Sequence, residues 1–247
     1  MHSDFQGQPH NLGVLNGIEN RHAEARQQFE EVLKLHREQA RTNPSEYLPE
    51  VAKTLDNLGL LSRAENRHTE ARQRFEEALS LQRELAHTDP AVHLPHLAST
   101  LNNLGIFSSD QNRNAEARQH FEEALKLYRE LARNTPGVYL PYVALTFNNL
   151  GALNSIERRN AEAHQQFEEA LKLYRELARS NPAVYLSDVA MTLYNLGVLN
   201  SIERRNAEAR QHFEEALRIY RSLAANSTEA FSKEIAHTDR NLKKLIP

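Results

Sequence analysis

Apolar residues recur along the chain at helical spacing. Leu48, Val51, Leu55, Leu58 and Leu61 stand 3, 4, 3 and 3 residues apart, intervals that fit a 3.6-residue period and fail a period of 2. A polar turn follows, Glu65-Asn66-Arg67-His68, with relatives at Asp110-Gln111-Asn112-Arg113, Glu157-Arg158-Arg159-Asn160 and Glu203-Arg204-Arg205-Asn206. Asparagine tolerates a positive φ, so Asn20, Asn66 and Asn112 suit the end of a first helix; Arg158 and Arg204 suit that position less well. A second helix then carries Ala71, Phe75, Ala78 and Leu79 as its apolar stripe, and Ala163, Phe167, Ala170 and Leu171 repeat it. Asn114, Asn160 and Asn206 are expected N-caps of these second helices. Pro44, Pro90, Pro136 and Pro182 are expected to close each pair, and Pro49, Pro95 and Pro141 to sit in the first turn of the next helix.

The pair of helices is a repeating unit. Asn-Leu-Gly begins at Asn11, Asn57, Asn103, Asn149 and Asn195, steps of 46 residues, and Asn241-Leu242-Lys243 echoes it one step later. A fixed period of this length is the mark of a solenoid, whose units stack because none can bury its apolar face alone. The expected fold is therefore all-α, an α–α superhelix of five helix pairs plus a C-terminal capping helix. Its divisions are an irregular segment at 1–10, five repeats over 11–228 (about 11–56, 57–102, 103–148, 149–194 and 195–228) and a cap at 229–247. The repeated core falls on Leu58, Gly59, Ala71, Phe75, Ala78, Leu104, Gly105, Phe121, Leu150, Gly151, Phe167, Leu196, Gly197 and Phe213.

Composition narrows the chemistry. Of 247 residues 40% are hydrophobic, Trp is absent, and five of the eight glycines lie inside the triplets, so glycine is positional. A net charge of −3 lacks the basic footprint that nucleic acid requires. No cysteine is present, which removes disulfides and thiolate zinc sites. No run of about 18 apolar residues occurs, so no membrane span is expected. Met1-His2-Ser3-Asp4 lacks a basic start followed by an apolar core, and a cytoplasmic location is the default expectation.

Leu55, Leu58, Gly59, Ala71, Phe75 and Ala78 have the spacing of the tetratricopeptide repeat signature, and Leu101, Leu104, Gly105, Ala117, Phe121 and Ala124 repeat it. Copy one departs, with Pro9 and Val32 at two signature positions. The 46-residue period, Asn102-Asn103-Leu104 and Asn148-Asn149-Leu150 resemble the kinesin-light-chain-like branch. The resemblance implies a concave groove, lined by first helices, that takes up a peptide or amphipathic helix of another protein. It places Asn102, Leu145, Asn148, Met191, Tyr194, Val198, Ile202 and Arg240 in that groove, with Asn102 and Asn148 expected to meet the ligand. Val14, Leu60, Ile106, Ala152 and Val198 stand where relatives that clamp acidic tails carry asparagine, so that clamp is expected to be absent. The triplet asparagines are expected to tie one repeat to the next.

Catalysis finds no footing: there is no Gly-rich phosphate loop, Gly-x-Ser-x-Gly or His-Glu-x-x-His. No enzyme activity and no cofactor are expected. The arginines at 21, 67, 113, 159 and 205 form a ladder, neutralised by Glu19, Glu65, Glu157 and Glu203. His93 and His96 share a helix face without a third ligand, so no metal site is expected. An alternative role is structural: Phe29 and Leu33, under-covered by the short first helix of copy one, would dock the N-terminal end onto another copy or an effector domain.

Overall fold

The computed structural model describes residues 22–225 and 231–245. The expectations for 1–10, for the first helix of copy one with Asn11, Val14, Asn20 and Arg21, and for Glu229 lie outside the described residues. Ten helices fill those described: α1 (His22–Ala40), α2 (Pro44–Ala64), α3 (His68–Thr88), α4 (Pro90–Asp110), α5 (Asn114–Asn134), α6 (Pro136–Ile156), α7 (Asn160–Ser180), α8 (Pro182–Ile202), α9 (Asn206–Ala224) and α10 (Ser232–Lys244). The even-numbered helices α2 to α10 are the first helices of the unit. Each Asn-Leu-Gly triplet among the described residues falls inside one, so the count from triplet to triplet runs from mid-helix to mid-helix. The chain packs as two units, 1–127 and 128–247, with α5 spanning the division.

The prolines act differently from expectation. Pro44, Pro90, Pro136 and Pro182 open the following helices at the first position, where a missing N–H is harmless, rather than closing the preceding ones. Pro49, Pro95 and Pro141 lie inside the helix, beyond the first turn. The reason is the short linker, a single residue such as Asp89 or Asn181 before α4, α6 and α8 and residues 41–43 before α2, so the helix begins five residues earlier than the second proline set suggests.

The first helices α2, α4, α6 and α8 end on a left-handed residue: Asn66 (φ 59°), Asn112 (57°), Arg158 (58°) and Arg204 (60°). The N–H of Asn66 donates to Arg63 O at 3.0 Å and that of Arg67 to Ser62 O at 2.8 Å, the paired bonds of a Schellman motif, and the pattern recurs at Arg158-Arg159 and Arg204-Arg205. The next helix follows at once, so Arg67, Arg159 and Arg205 are the N-caps, without a capping side-chain bond. Asn160 and Asn206 are already the first helical residues, a correction to their expected capping role.

Within a pair, the glycine of the first helix receives the phenylalanine of the second. A Cβ on Gly59 would lie 2.6 Å from the Phe75 ring, on Gly105 2.5 Å from Phe121, on Gly151 2.7 Å from Phe167 and on Gly197 2.6 Å from Phe213. All four rings are buried, as are Leu58, Leu104, Leu150, Leu196, Ala71 and Ala78. Truncating such a ring to alanine costs roughly 3–5 kcal/mol. Phe29 and Leu33 are buried too, in a cluster with Val51, Leu55, Leu58 and Leu61. The expected under-covered N-terminal surface at these two residues is therefore corrected: α2 packs against it.

Successive first helices touch directly, α2 on α4 in one unit and α6 on α8 in the other. Second helices reach one another through long side chains: Arg37 pairs with Glu77, Arg83 with Glu123 at 2.9 Å and Arg175 with Glu215 at 2.8 Å. The turn arginines are neutralised mainly by the Glu three residues on, Arg159 by Glu162 at 2.9 Å and Arg205 by Glu208 at 3.0 Å.

Candidate functional site

A threonine two residues before the variable position of each first helix organises this face. Thr54, Thr100, Thr146, Thr192 and Thr238 keep the 46-residue beat and are all fully buried. The hydroxyls of Thr54, Thr146, Thr192 and Thr238 donate to the carbonyl four residues back. In the unit 128–247, Asn148 on α6 donates its amide to Thr192 Oγ1 on α8 at 2.8 Å. In the unit 1–127 the Thr100 hydroxyl instead donates to the Asp56 carboxylate. Burial pushes the Asp56 carboxyl up to about 7, and the Thr100 bond offsets part of that rise.

Two of the expected ligand contacts are buried on this face. Asn148 is 3% exposed and Asn102 7% exposed, so neither side chain lies open to a partner. Asn148 ties α6 to α8. A periodic threonine was visible in the sequence and is the signal that could have shown it.

The remaining expected groove residues divide. Leu145, Met191, Tyr194 and Val198 are half-buried on first helices, while Ile202 is 60% exposed at the end of α8 and Arg240 is exposed on α10. Tyr194 and Val198 pack on the terminal core of Ala209, Phe213 and Leu245 together with Leu242. The Tyr194 ring lies 5.7 Å from Phe213, and its hydroxyl accepts a bond from Asn241 Nδ2 at 3.0 Å. Asn241, in the last echo of the triplet, thus ties α10 to α8.

Met191 and Tyr194 come together on a cavity of about 340 Å3 among α8, α9 and α10. Its walls also include Ser187, Asp188, Asn195, Tyr220, Phe231, Glu234, His237 and Thr238. Tyr220 and Phe231 stack at 5.7 Å along one side. Burial raises the Tyr220 hydroxyl above the usual phenol range, and the nearby Glu234, Tyr194 and Asp188 raise it further. Burial likewise raises the Asp188 carboxyl. Asp188, Tyr220, Phe231 and Glu234 were missed by the sequence reading because they sit on three separate helices or helix ends.

His93 and His96 lie 6.4 Å apart between ring centroids, and among the described residues no group of three His, Cys, Asp or Glu side chains is placed to hold a metal ion. Among the described residues no helix is long and apolar enough to cross a membrane.

Three family models described as tetratricopeptide repeat match the chain, at residues 51–89, 96–176 and 159–224. No curated protein matches it. Among solved structures it is similar to BtubC (BKLC) from P. vanneervenii, with 21% identity, a TM-score of 0.71 and coverage of 89% of this chain and 81% of that one. It is also similar to a kinesin light chain with nearly identical TPR-like repeats from Podosopora anserina, with 17% identity, a TM-score of 0.58 and coverage of 89% and 95%. Pseudomonas aeruginosa pilF is 22% identical, with a TM-score of 0.57 and coverage of 97% and 91%. At these identities the likeness shows the fold.

Proposed function

Because the chain belongs to the tetratricopeptide repeat family and so has a non-catalytic protein-interaction scaffold fold, we propose that the first-helix face of residues 128–247 binds a peptide or helix of a partner protein. The observation that carries this reading is the half-buried row of Leu145 on α6 and Met191, Tyr194 and Val198 on α8, beside the cavity that α10 completes. Such apolar anchors with polar neighbours suit an amphipathic helix or an extended segment. The buried threonine ladder holds this face in a fixed shape, which lowers the ordering cost of binding.

A displayed random-peptide library selected on the full chain tests the reading. Selected peptides should bind Leu145→Ala/Met191→Ala at least about fivefold more weakly, consistent with the loss of two apolar contacts. The circular dichroism spectrum and melting curve should be retained. Unchanged affinity in a folded double variant overturns the proposal.

A further inference from the structure

The unit 128–247 carries a feature that generic peptide binding does not account for. Several carboxylates on its second helices are matched with arginine, as Glu215 is with Arg175 and Glu208 with Arg205. Asp188 on α8 and Glu234 on α10 have no hydrogen-bond or ion-pair partner among the described residues. Both line the cavity among α8, α9 and α10, and both raise the Tyr220 hydroxyl from nearby. Arg221 on α9 is directed to Asp239 on α10 at 3.3 Å. The cavity therefore holds two acids without an ion-pair partner among the described residues, beside His237 and set against the aromatic rings of Tyr194, Tyr220 and Phe231.

We infer that this cavity takes an arginine side chain presented by the partner segment, an inference that rests on the first-helix face being the binding face. Three features select this occupant. The two acids, one half-buried and one exposed, favour positive charge. The flat rings favour a guanidinium, which stacks on aromatic faces and is weakly hydrated, over the compact, strongly hydrated ammonium of lysine. The fork of N–H donors on guanidinium can serve two carboxylates at once, and a single ammonium does so with less fixed geometry. Met191 closes the apolar side, where the aliphatic stem would lie.

The chain supplies its own reporter, since Met191 and Met1 are its two methionines. The full chain, labelled with 13C at the methionine methyls, is titrated with Nα-acetyl-arginine amide, Nα-acetyl-lysine amide and Nα-acetyl-citrulline amide. Citrulline keeps the shape of arginine and removes its charge. The arginine amide should move the Met191 methyl resonance saturably and leave Met1 in place. The lysine amide should bind several-fold more weakly and the citrulline amide about tenfold or more weakly, as expected for a charge-assisted, ring-stacked contact. Asp188→Asn/Glu234→Gln, checked for an unchanged melting curve, should erase the preference of arginine over citrulline.

Equal binding of citrulline and arginine, stronger binding of lysine, or no movement of Met191 with any probe overturns the inference. The same probes separate it from the broader reading. If the arginine amide is silent while library-selected peptides still depend on Leu145 and Met191, the arginine pocket falls and the binding face stands. If the arginine amide binds but selected peptides ignore those residues, the binding face falls instead.

Discussion

Alanine in place of Gly151 should destabilise the protein, whereas alanine in place of Gly137 should not. Alanine ordinarily improves a helix relative to glycine by about 0.8–1 kcal/mol. At Gly151 the new Cβ would stand 2.7 Å from Cδ1 and Cε1 of Phe167 and 3.0 Å from its Cγ. Carbon atoms prefer separations of about 3.5–4.0 Å, so the ring must retreat by most of an ångström. Phe167 is 2% exposed, and the atoms met are near the root of the side chain, which leaves no easy rotation. Overpacking of this kind costs typically about 1–3 kcal/mol; a clash this deep falls in the upper half of that range, which outweighs the helix gain and leaves a net loss of roughly 1–2 kcal/mol. Gly137 meets nothing within 4 Å, so there only the helix term remains and the change is neutral to stabilising. Urea unfolding followed by far-ultraviolet circular dichroism reads both. Phe167→Leu in the Gly151→Ala background should recover part of the loss, with a coupling of about 1 kcal/mol in the double-mutant cycle. A Gly151→Ala protein as stable as its parent, or a cycle without coupling, refutes the close-approach argument.

Asp56→Asn should stabilise the protein at neutral pH. Because the folded carboxyl is raised to about 7, the folded state keeps a proton that the unfolded chain releases, and stability falls as pH rises from about 4 to about 7. The gain from asparagine should be on the order of 1–3 kcal/mol near pH 8 and fade toward pH 4, as seen by chemical denaturation across that range. Arg158→Gly should stabilise the protein by about 0.5–1 kcal/mol in urea unfolding, since the left-handed conformation at φ 58° suits glycine. Thr192→Val should cost about 1–3 kcal/mol by leaving the buried Asn148 amide without its acceptor. Thr192→Ser, which keeps the hydroxyl, should recover much of that loss in the same denaturation assay.

The helices were legible because their apolar period is strict and the unit recurs. The left-handed turn position was legible at Asn66 and Asn112 from chemistry, and at Arg158 and Arg204 only from register. The prolines misled because two sets share one beat, and only the short linkers show that the first set opens the helix. Asn148 misled for a different reason. A polar residue on an inner face reads as a ligand contact unless its neighbour is known, and that neighbour, Thr192, lies 44 residues away on the next first helix. Asp188 and Glu234 were illegible singly, being two acids among 33; only α9 and α10 bring them to one cavity.

The departures from the repeat carry the remaining argument. The residue before the triplet takes three partnerships on an unchanging threonine ladder: Asp56 accepts from Thr100, Asn148 donates to Thr192, and Tyr194 accepts from Asn241 instead. Six residues earlier, Tyr142 stacks on Tyr128 at 5.2 Å, whereas Asp188 holds the same register in the next copy with an unmatched carboxylate. One residue before that, the proline of Pro49, Pro95 and Pro141 gives way to Ser187. In a chain this regular, independent drift would scatter such changes over both faces. These three fall on one wall of one cavity, which the half-repeat α10 closes from the other side. The irregularities of the last full copy therefore fall together, replacing the stacked ring found at Tyr142 with an acidic, ring-lined recess, the place where the proposed arginine would seat.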